Sequence, residues 1–237
     1  MRGPLGATRQ LFGPLGVTPT VIGPPQTSLI EWLDAANITG LADGDAISTW
    51  TARTGTNATA TLTARPLYKT GIQNSLPIVR ADGSNDLMSL TGLVAALGSF
   101  TFVAAFNPYV TSPSGKFLFD TQTGRLTIAQ VGGATGKIGW LNGVTWRNIA
   151  NATTGWQVVA WVLTSGGNGE IFRNGVSLGT AVYTATAIGG NVALFAFTAT
   201  GYNLQCDLGE LLIYSAALDT STRAAAESYL NSKWAIY

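Results

Sequence analysis

Histidine is absent from this chain, and cysteine occurs once, at Cys206. The first absence excludes a Ser-His-Asp triad, a Cys-His dyad, any His-ligated metal and a histidine pH switch. The second excludes an intrachain disulfide and a thiolate zinc cluster. A lone cysteine in an apolar run reads as a buried strand residue. Charge is scarce as well: 11% of the residues are charged, against about 25% in an ordinary domain. Thirteen Lys and Arg against twelve Asp and Glu leave a net charge of +1. That balance lacks the basic excess of a nucleic-acid binder. Long hydrophobic runs are missing too. The two longest, 93–106 and 156–163, are interrupted by Gly, Ser, Gln or Asn and fall short of the roughly 18–20 apolar residues of a membrane span. Arg2 and Arg9 are followed by repeated Gly and Pro rather than an apolar h-region, so neither a signal peptide nor a membrane partner is expected.

What is present is a hydrophobic fraction of 46% over 237 residues and a mean hydropathy of +0.24. Such a chain is ordered and long enough to bury a sizeable core. Its first 27 residues differ from the rest: they hold five of the nine prolines and no acidic residue. Gly3-Pro4-Leu5-Gly6-Ala7-Thr8 returns as Gly13-Pro14-Leu15-Gly16-Val17-Thr18. Two copies are too few for a solenoid. Proline fixes φ and removes donors, which predicts an extended arm over residues 1–27. An extended arm cannot bury Leu5, Leu11, Phe12, Leu15, Val17, Val21 and Ile22 by itself. They need a groove on a partner or the flank of their own domain, and the trans reading is preferred because Pro-rich segments dock at low entropic cost.

From residue 28 to 215 short Val/Ile/Thr/Trp/Phe runs alternate with Gly, Asn, Asp and Ser clusters, the pattern of a sandwich or barrel. Strands are predicted over 28–33, 46–51, 57–63, 76–80, 86–90, 99–107, 116–120, 125–131, 136–141, 144–149, 156–164, 168–173, 176–182, 191–198 and 204–214. Asn174-Gly175 suits a type I′ hairpin turn, where both central residues need φ > 0, and Asn142-Gly143 offers the same chemistry. A helix over 219–235 closes the chain, capped by Asp219 or Ser221, with Ala226, Leu230, Trp234 and Tyr237 on one face.

Three blocks carry a resemblance. The first is Leu29-Ile30-Glu31-Trp32-Leu33-Asp34-Ala35 with Asp43-Gly44-Asp45-Ala46-Ile47-Ser48-Thr49-Trp50. The second is Arg65-Pro66-Leu67-Tyr68 leading to Leu76-Pro77-Ile78-Val79-Arg80-Ala81-Asp82-Gly83-Ser84-Asn85-Asp86. The third is 169–179, then Leu208-Gly209-Glu210-Leu211-Leu212-Ile213-Tyr214-Ser215-Ala216-Ala217-Leu218, closed by Tyr229-Leu230-Asn231-Ser232-Lys233-Trp234. In this order, over about residues 28–237, they resemble a concanavalin A-like, laminin G-type jelly roll of the kind found in bacterial surface proteins and bacteriophage decoration, fibre and tail proteins. The resemblance implies an all-β sandwich of two antiparallel sheets with a C-terminal helix. Many relatives carry an aromatic where this chain has Ala81, and an acidic, Gly/Asn-rich stretch near 50–55. Both departures speak against a retained calcium or glycan site.

Concanavalin A-like folds include glucanases, which need two carboxyl groups about 5–9.5 Å apart. Glu31, Glu170, Glu210 and Glu227 each stand alone. Asp207 and Glu210 are three apart, so strand alternation predicts opposite faces. Asp43 and Asp45 share a face but lie in a Gly-rich turn. These spacings predict a protein that is not an enzyme, without catalytic residues and without a cofactor. Asp82, Asn85 and Asp86 are weak metal candidates: calcium wants 6–8 oxygens, and turn chemistry accounts for all three residues. For a sugar, aromatics supply stacking platforms. Trp32, Trp50, Trp161 and Trp234 read as structural. Trp140 and Trp146, which flank the Asn142-Gly143 turn, together with Tyr109 and Tyr202, are the candidate glycan contacts.

Low charge and a Thr/Ala/Gly/Asn-rich surface suit a protein that buries much of its exterior in an assembly. With the apolar arm and the resemblance to bacteriophage decoration, fibre and tail proteins, which implies it, the expectation is a virion structural protein of decoration, fibre or tail type at the virion surface. Residues 1–27 would bind other virion proteins, capsid or tail subunits. A homo-oligomer is expected, a trimer as the family resemblance and virion symmetry imply, and host surface glycans are a further expected partner. The competing reading is a lectin-like carbohydrate-binding module on a cell or virion surface.

Overall fold

The computed structural model describes residues 23–93, 98–111, 115–123, 126–132, 135–184, 189–197 and 202–237. The arm residues Leu5, Leu11, Phe12, Leu15, Val17, Val21 and Ile22 lie outside the described residues. The strands are β1 Leu29–Asp34, β2 Thr49–Trp50, β3 Ala58–Thr59, β4 Leu67–Gln73, β5 Leu76–Asp82, β6 Met88–Leu90, β7 Phe100–Pro108 and β8 Lys116–Thr123. They continue as β9 Leu126–Gly132, β10 Lys137–Asn142, β11 Thr145–Asn151, β12 Gln157–Leu163, β13 Gly167–Arg173, β14 Val176–Tyr183, β15 Gly189–Leu194 and β16 Gln205–Tyr214. Helix α1, Thr220–Trp234, follows.

Two antiparallel eight-stranded sheets face each other. Sheet A runs β14-β13-β12-β7-β16-β5-β4, with β1 also on β16, and sheet B runs β11-β10-β9-β8-β15-β6-β3-β2. This is the expected jelly-roll sandwich with a C-terminal helix. The core between the sheets is built on alternation. Phe102 of β7 meets Phe119 of β8 at 5.2 Å and Trp161 of β12 at 5.5 Å between ring centroids, so these three side chains point inward.

Strand β16 is the spine of sheet A. One edge pairs with β7 along its whole length. The other edge is shared: Gln205–Leu208 pair with β5, and Glu210–Tyr214 pair with β1. Gly209 stands at the junction, inside a β-bulge between Leu208 and Glu210. A Cβ on Gly209 would lie 2.8 Å from the Trp234 ring, so only glycine lets α1 settle here. The bulge corrects the expectation that Asp207 and Glu210 face opposite ways. Leu208 is opposite the inward Phe106, whereas Asp207 is opposite Asn107 and Glu210 opposite Ala105, which places both carboxylates on the outer face.

The outer face of sheet A is covered by α1. Asp219 caps the helix, accepting from Thr222 N at 2.9 Å, and Ala235 ends it with φ 50°. Ala226, Leu230 and Trp234 are buried as the stripe predicts, but Tyr237 lies beyond the helix and is exposed. Four donors converge on the buried Glu210: Trp32 Nε1 at 2.6 Å, Tyr229 OH at 2.8 Å, Lys233 Nζ at 2.7 Å and Trp234 Nε1 at 2.9 Å. Lys233 also pairs with buried Asp34 at 2.8 Å, and Arg53 Nε reaches Asp34 at 2.6 Å. Arg223 lies 3.7 Å over the Phe172 ring and pairs with Glu227 one turn on.

Two turns refine the hairpin expectations. Asn174 and Gly175 both have positive φ, 51° and 79°, as a type I′ turn requires. At the other hairpin Asn142 pairs with Thr145, so the turn residues are Gly143 and Val144. Among the four only Gly143 has positive φ, which is the type II′ pattern. Strand β4, which no sequence pattern indicated, is joined to β5 through Asn74 and Ser75 at φ 49° and 59°.

Removing the Glu210 carboxylate leaves two indoles, a phenol and an ammonium without their acceptor. Glu210→Ala is expected to cost roughly 3–5 kcal/mol, the range for stripping one partner from a buried charge pair. Urea denaturation checks this: the midpoint falls, whereas an unchanged midpoint would show that the cluster does not hold α1 to the sheet.

Candidate functional site

The outer face of sheet B is where two of the four aromatic candidates come together. Register fixes which side chains share it. Trp140 pairs with Ile128, and both lie in the core; Leu141 pairs with Thr127 and Trp146, and Thr127 with Asp120. The row Asp120–Thr127–Leu141–Trp146 therefore faces outward. A neighbouring outward row is Phe117–Ala129–Gly139–Asn148. Phe117, Ala129 and Leu141 are buried yet stand outside the central core cluster, as expected for side chains on the other side of the sheet.

Four rings gather there. Phe117 stacks on Tyr202 at 5.1 Å and 24°, leans on Trp146 at 5.6 Å, and meets Phe197 edge-on at 6.0 Å; Phe197 meets Tyr202 at 6.0 Å and 84°. Tyr202 is 53% exposed, and Trp146 and Phe197 are half-buried. The small residues Ala129 and Gly139 lie in the row beside Phe117, which leaves room for large rings to lean together. Gly139 cannot be replaced, because a Cβ would fall 1.9 Å from Arg147 O at the β10–β11 bulge.

Polar groups accompany the rings. Asp120 is buried and accepts from Thr127 Oγ1. The Asn148 Oδ1 atom is buried and has no hydrogen-bond partner among the described residues, a condition that costs about 1–3 kcal/mol until a donor arrives. Stacking rings beside an unsatisfied amide oxygen and a buried carboxylate match a ligand with apolar faces and hydroxyl edges.

Trp146 and Tyr202 thus belong to one cluster, through Phe117 and Phe197, which the sequence reading missed. The Lys-Phe-Leu-Phe run reads as core, and bulges around Phe117 turn one of its rings outward. Trp140 is a correction: it is fully buried. The turn next to it does not decide its side; its parity in β10 does. Tyr109 belongs to another set on sheet A, where its OH donates to Asp207 Oδ2 at 2.6 Å. Arg80 holds the same carboxylate through Nε at 2.7 Å and Nη2 at 2.8 Å. Burial, and then the Asp207 carboxylate, push the Tyr109 hydroxyl up to about 12.

Two of the metal candidates bond their own loop and the third bonds Thr63. Asp82 Oδ1 accepts from Ser84 N at 2.7 Å, Asp86 Oδ2 accepts from Asp82 N at 2.7 Å, and the Asn85 amide donates to Thr63 O. Among the described residues no group of three or more His, Cys, Asp or Glu side chains is placed to hold a metal. Cys206 is buried in β16, and its burial holds the thiol well above the usual range.

No family model and no curated protein sequence matches the chain. Solved structures match its fold. A Trypanosoma rangeli sialidase aligns with a TM-score of 0.58 at 13% identity, over 88% of this chain and 33% of that one. The binding domain of botulinum neurotoxin serotype D aligns with a TM-score of 0.60 at 12% identity, over 85% of this chain and 50% of that one. Botulinum neurotoxin type C, whose cell entry depends on two ganglioside molecules, aligns at 0.55 and 13%, over 86% and 51%. The chain spans about a third of the sialidase and half of the toxin chains. At such identities the likeness is one of fold; it bears out the sandwich and does not extend to the bacteriophage relationship. It overturns the expectation that the chain is not an enzyme. Sialidases share this sandwich, and the spacing argument against catalysis assumed an alternation that the Gly209 bulge breaks.

Glu31 gives the fold a pH dependence. Its carboxyl is buried on β1, accepts from Thr56 N at 2.8 Å and leaves Oε1 without a partner among the described residues. Burial pushes its pKa from 4.5 up to about 7, against the lowering effect of the Thr56 and Trp32 amides. Between these values the folded chain binds more protons than the unfolded one, so stability falls as pH rises through about 7. The stability lost amounts to about 3 kcal/mol. Thermal denaturation of the wild type is expected at a higher temperature at pH 5 than at pH 8. Glu31→Gln keeps the Thr56 acceptor and is expected to narrow that gap; an equal gap in both proteins would remove Glu31 as its source.

Proposed function

We propose that this chain is a lectin-like, carbohydrate-binding β-sandwich whose contact surface is the outer face of sheet B. The observation that carries the reading is the cluster of Trp146, Phe117, Phe197 and Tyr202 beside the unsatisfied Asn148 Oδ1. The rings offer flat apolar area to the C–H face of a pyranose, and the amide oxygen accepts one of its hydroxyls. The sandwich it shares with neurotoxin binding domains, one of them from a toxin that interacts with gangliosides, supports the same reading.

A second proposal concerns where such a module is displayed. The composition of residues 1–27 favours attachment to a larger particle, and a virion surface is the setting proposed from the sequence resemblance. There the arm would engage capsid or tail subunits while the sandwich faces outward. Deletion of 1–27 is expected to abolish attachment to such a particle and to leave glycan binding by the sandwich unchanged.

Glycan-array screening of the full chain, followed by calorimetry on the best hit, tests the main reading. Trp146→Ala and Tyr202→Ala are expected to weaken binding by about 1–2 kcal/mol each, roughly 5- to 30-fold. Trp140→Phe, a core change, serves as the control, with binding retained. Absence of any glycan ligand, or equal binding by both alanine variants, would overturn the assignment.

A further inference from the structure

We propose that Asn142 is a modification site. Its side chain closes on the Gly143 amide to a succinimide, which water opens to aspartate or isoaspartate, and the fold protects the other two Asn-Gly pairs of the chain. The product unfastens one end of the seam at which the two sheets meet.

Asn-Gly occurs at 142–143, 168–169 and 174–175, and the chemistry open to each pair is the same. The Gly nitrogen, unhindered because the residue has no Cβ, attacks the Asn Cγ. A C–N bond forms and the amide proton passes to water. The Cγ–Nδ2 bond breaks, and the nitrogen takes up a proton and leaves as ammonia. Water then adds to either carbonyl of the five-membered ring. One water is consumed and one ammonia released, with no oxidant or reductant. The three pairs differ only in whether the Gly amide and the Asn side chain are free to meet.

Two pairs are locked. Gly169 is buried within sheet A, opposite Leu163 of β12 and Ala181 of β14, so its amide belongs to the ladder. Asn174 is tied to β12 twice: its backbone N donates to Val158 O at 2.8 Å, and its Oδ1 accepts from Val158 N at 2.9 Å. The Gly175 amide donates to the Glu227 carboxylate. These bonds must open before attack can begin.

Asn142 differs. It pairs with Thr145 across a two-residue turn, in which the bonded partners are the first and last residues. The Gly143 amide lies between them and has no backbone acceptor among the described residues. Gly143 has φ 62°, and a Cβ built on it would meet nothing within 4 Å, so there is room for the ring to form. The Asn142 amide is held only by exposed bonds, from Nδ2 to Thr184 O and, at 3.0 Å, to Thr184 Oγ1.

Those bonds belong to the seam. Strands β11 and β14 end their respective sheets, and side chains join this side of the sandwich. Arg147 Nε donates to Val182 O at 3.1 Å, Arg173 Nη2 to Asn151 O at 3.1 Å, and Asn142 Nδ2 to Thr184 O. A carboxylate only accepts. Set against the Thr184 carbonyl, it repels where the amide donated, and the Asn142 end of the seam opens.

The test incubates the full chain in mildly alkaline buffer and follows the three Asn-Gly peptides by mass spectrometry, with the urea-unfolded chain as reference. Unfolded, the three pairs are expected to convert at similar rates. Folded, Asn142 is expected to convert about tenfold faster than Asn168 or Asn174, the factor set by one bond that must open first. Asn142→Asp is expected to melt at a lower temperature than Asn142→Gln, which keeps an amide, and to speed hydrogen exchange over β14. Equal folded-state rates at the three pairs, or conversion led by Asn168 or Asn174, overturn the assignment. So does an intact Asn142 in the folded chain once the unfolded chain has converted. Equal melting and exchange in the Asp and Gln variants overturn the effect on the seam.

Discussion

The architecture of the outer half of sheet A depends on one buried carboxylate. Glu210 has no contact with solvent, and burial, with the nearby Asp34 charge, raises its pKa above the usual glutamate range. What makes it tolerable there is saturation: four donors from β1 and α1 meet its two oxygens, and Lys233 spans it and Asp34. A buried ion with that many partners specifies geometry more than it adds stability. It sets the register of β1 on β16, the angle at which α1 crosses the sheet and the side on which Trp234 lands. Gly209 completes the arrangement by giving the indole a bare patch of backbone to cover.

How much of this was legible follows from the range of each signal. The sandwich, most strands and the C-terminal helix could be read, because they rest on local alternation, turn chemistry and an N-cap. Asn174-Gly175 is a case in which two adjacent residues contain the whole instruction. Strand β4 could not be read, since Lys69-Thr70-Gly71 breaks its pattern and the strand exists by pairing with β5. The Gly209 bulge escaped for a related reason: it marks the place where β16 passes from one neighbour strand to another, information that lies more than a hundred residues away.

The candidate site shows the same limit. Trp146 stands out in the sequence because it flanks a turn, and the fold brings it into one cluster with Tyr202 through Phe117. Trp140, chosen by the same turn, went to the core, because side-chain parity in a strand is set by its partners and not by the nearest turn. Phe117 and Phe197 were invisible as site residues. An aromatic strand run carries no mark of which ring faces outward, and a bulge decides it. Asn148 offered no signal at all, since its lack of a partner is a property of packing.

The pairing of β1 with β16 also orders events in time. Trp32 and Glu210 are 178 residues apart, so β1 leaves the ribosome long before the strand and helix that will cover it. Until then β1 lacks the strand it pairs with, and Asp34 lacks Lys233. Non-local pairings of this kind slow folding and leave strand edges open to aggregation. Cooperative closure of sheet A therefore waits on the C-terminal 33 residues, and a chain that loses them loses a folding step along with a helix.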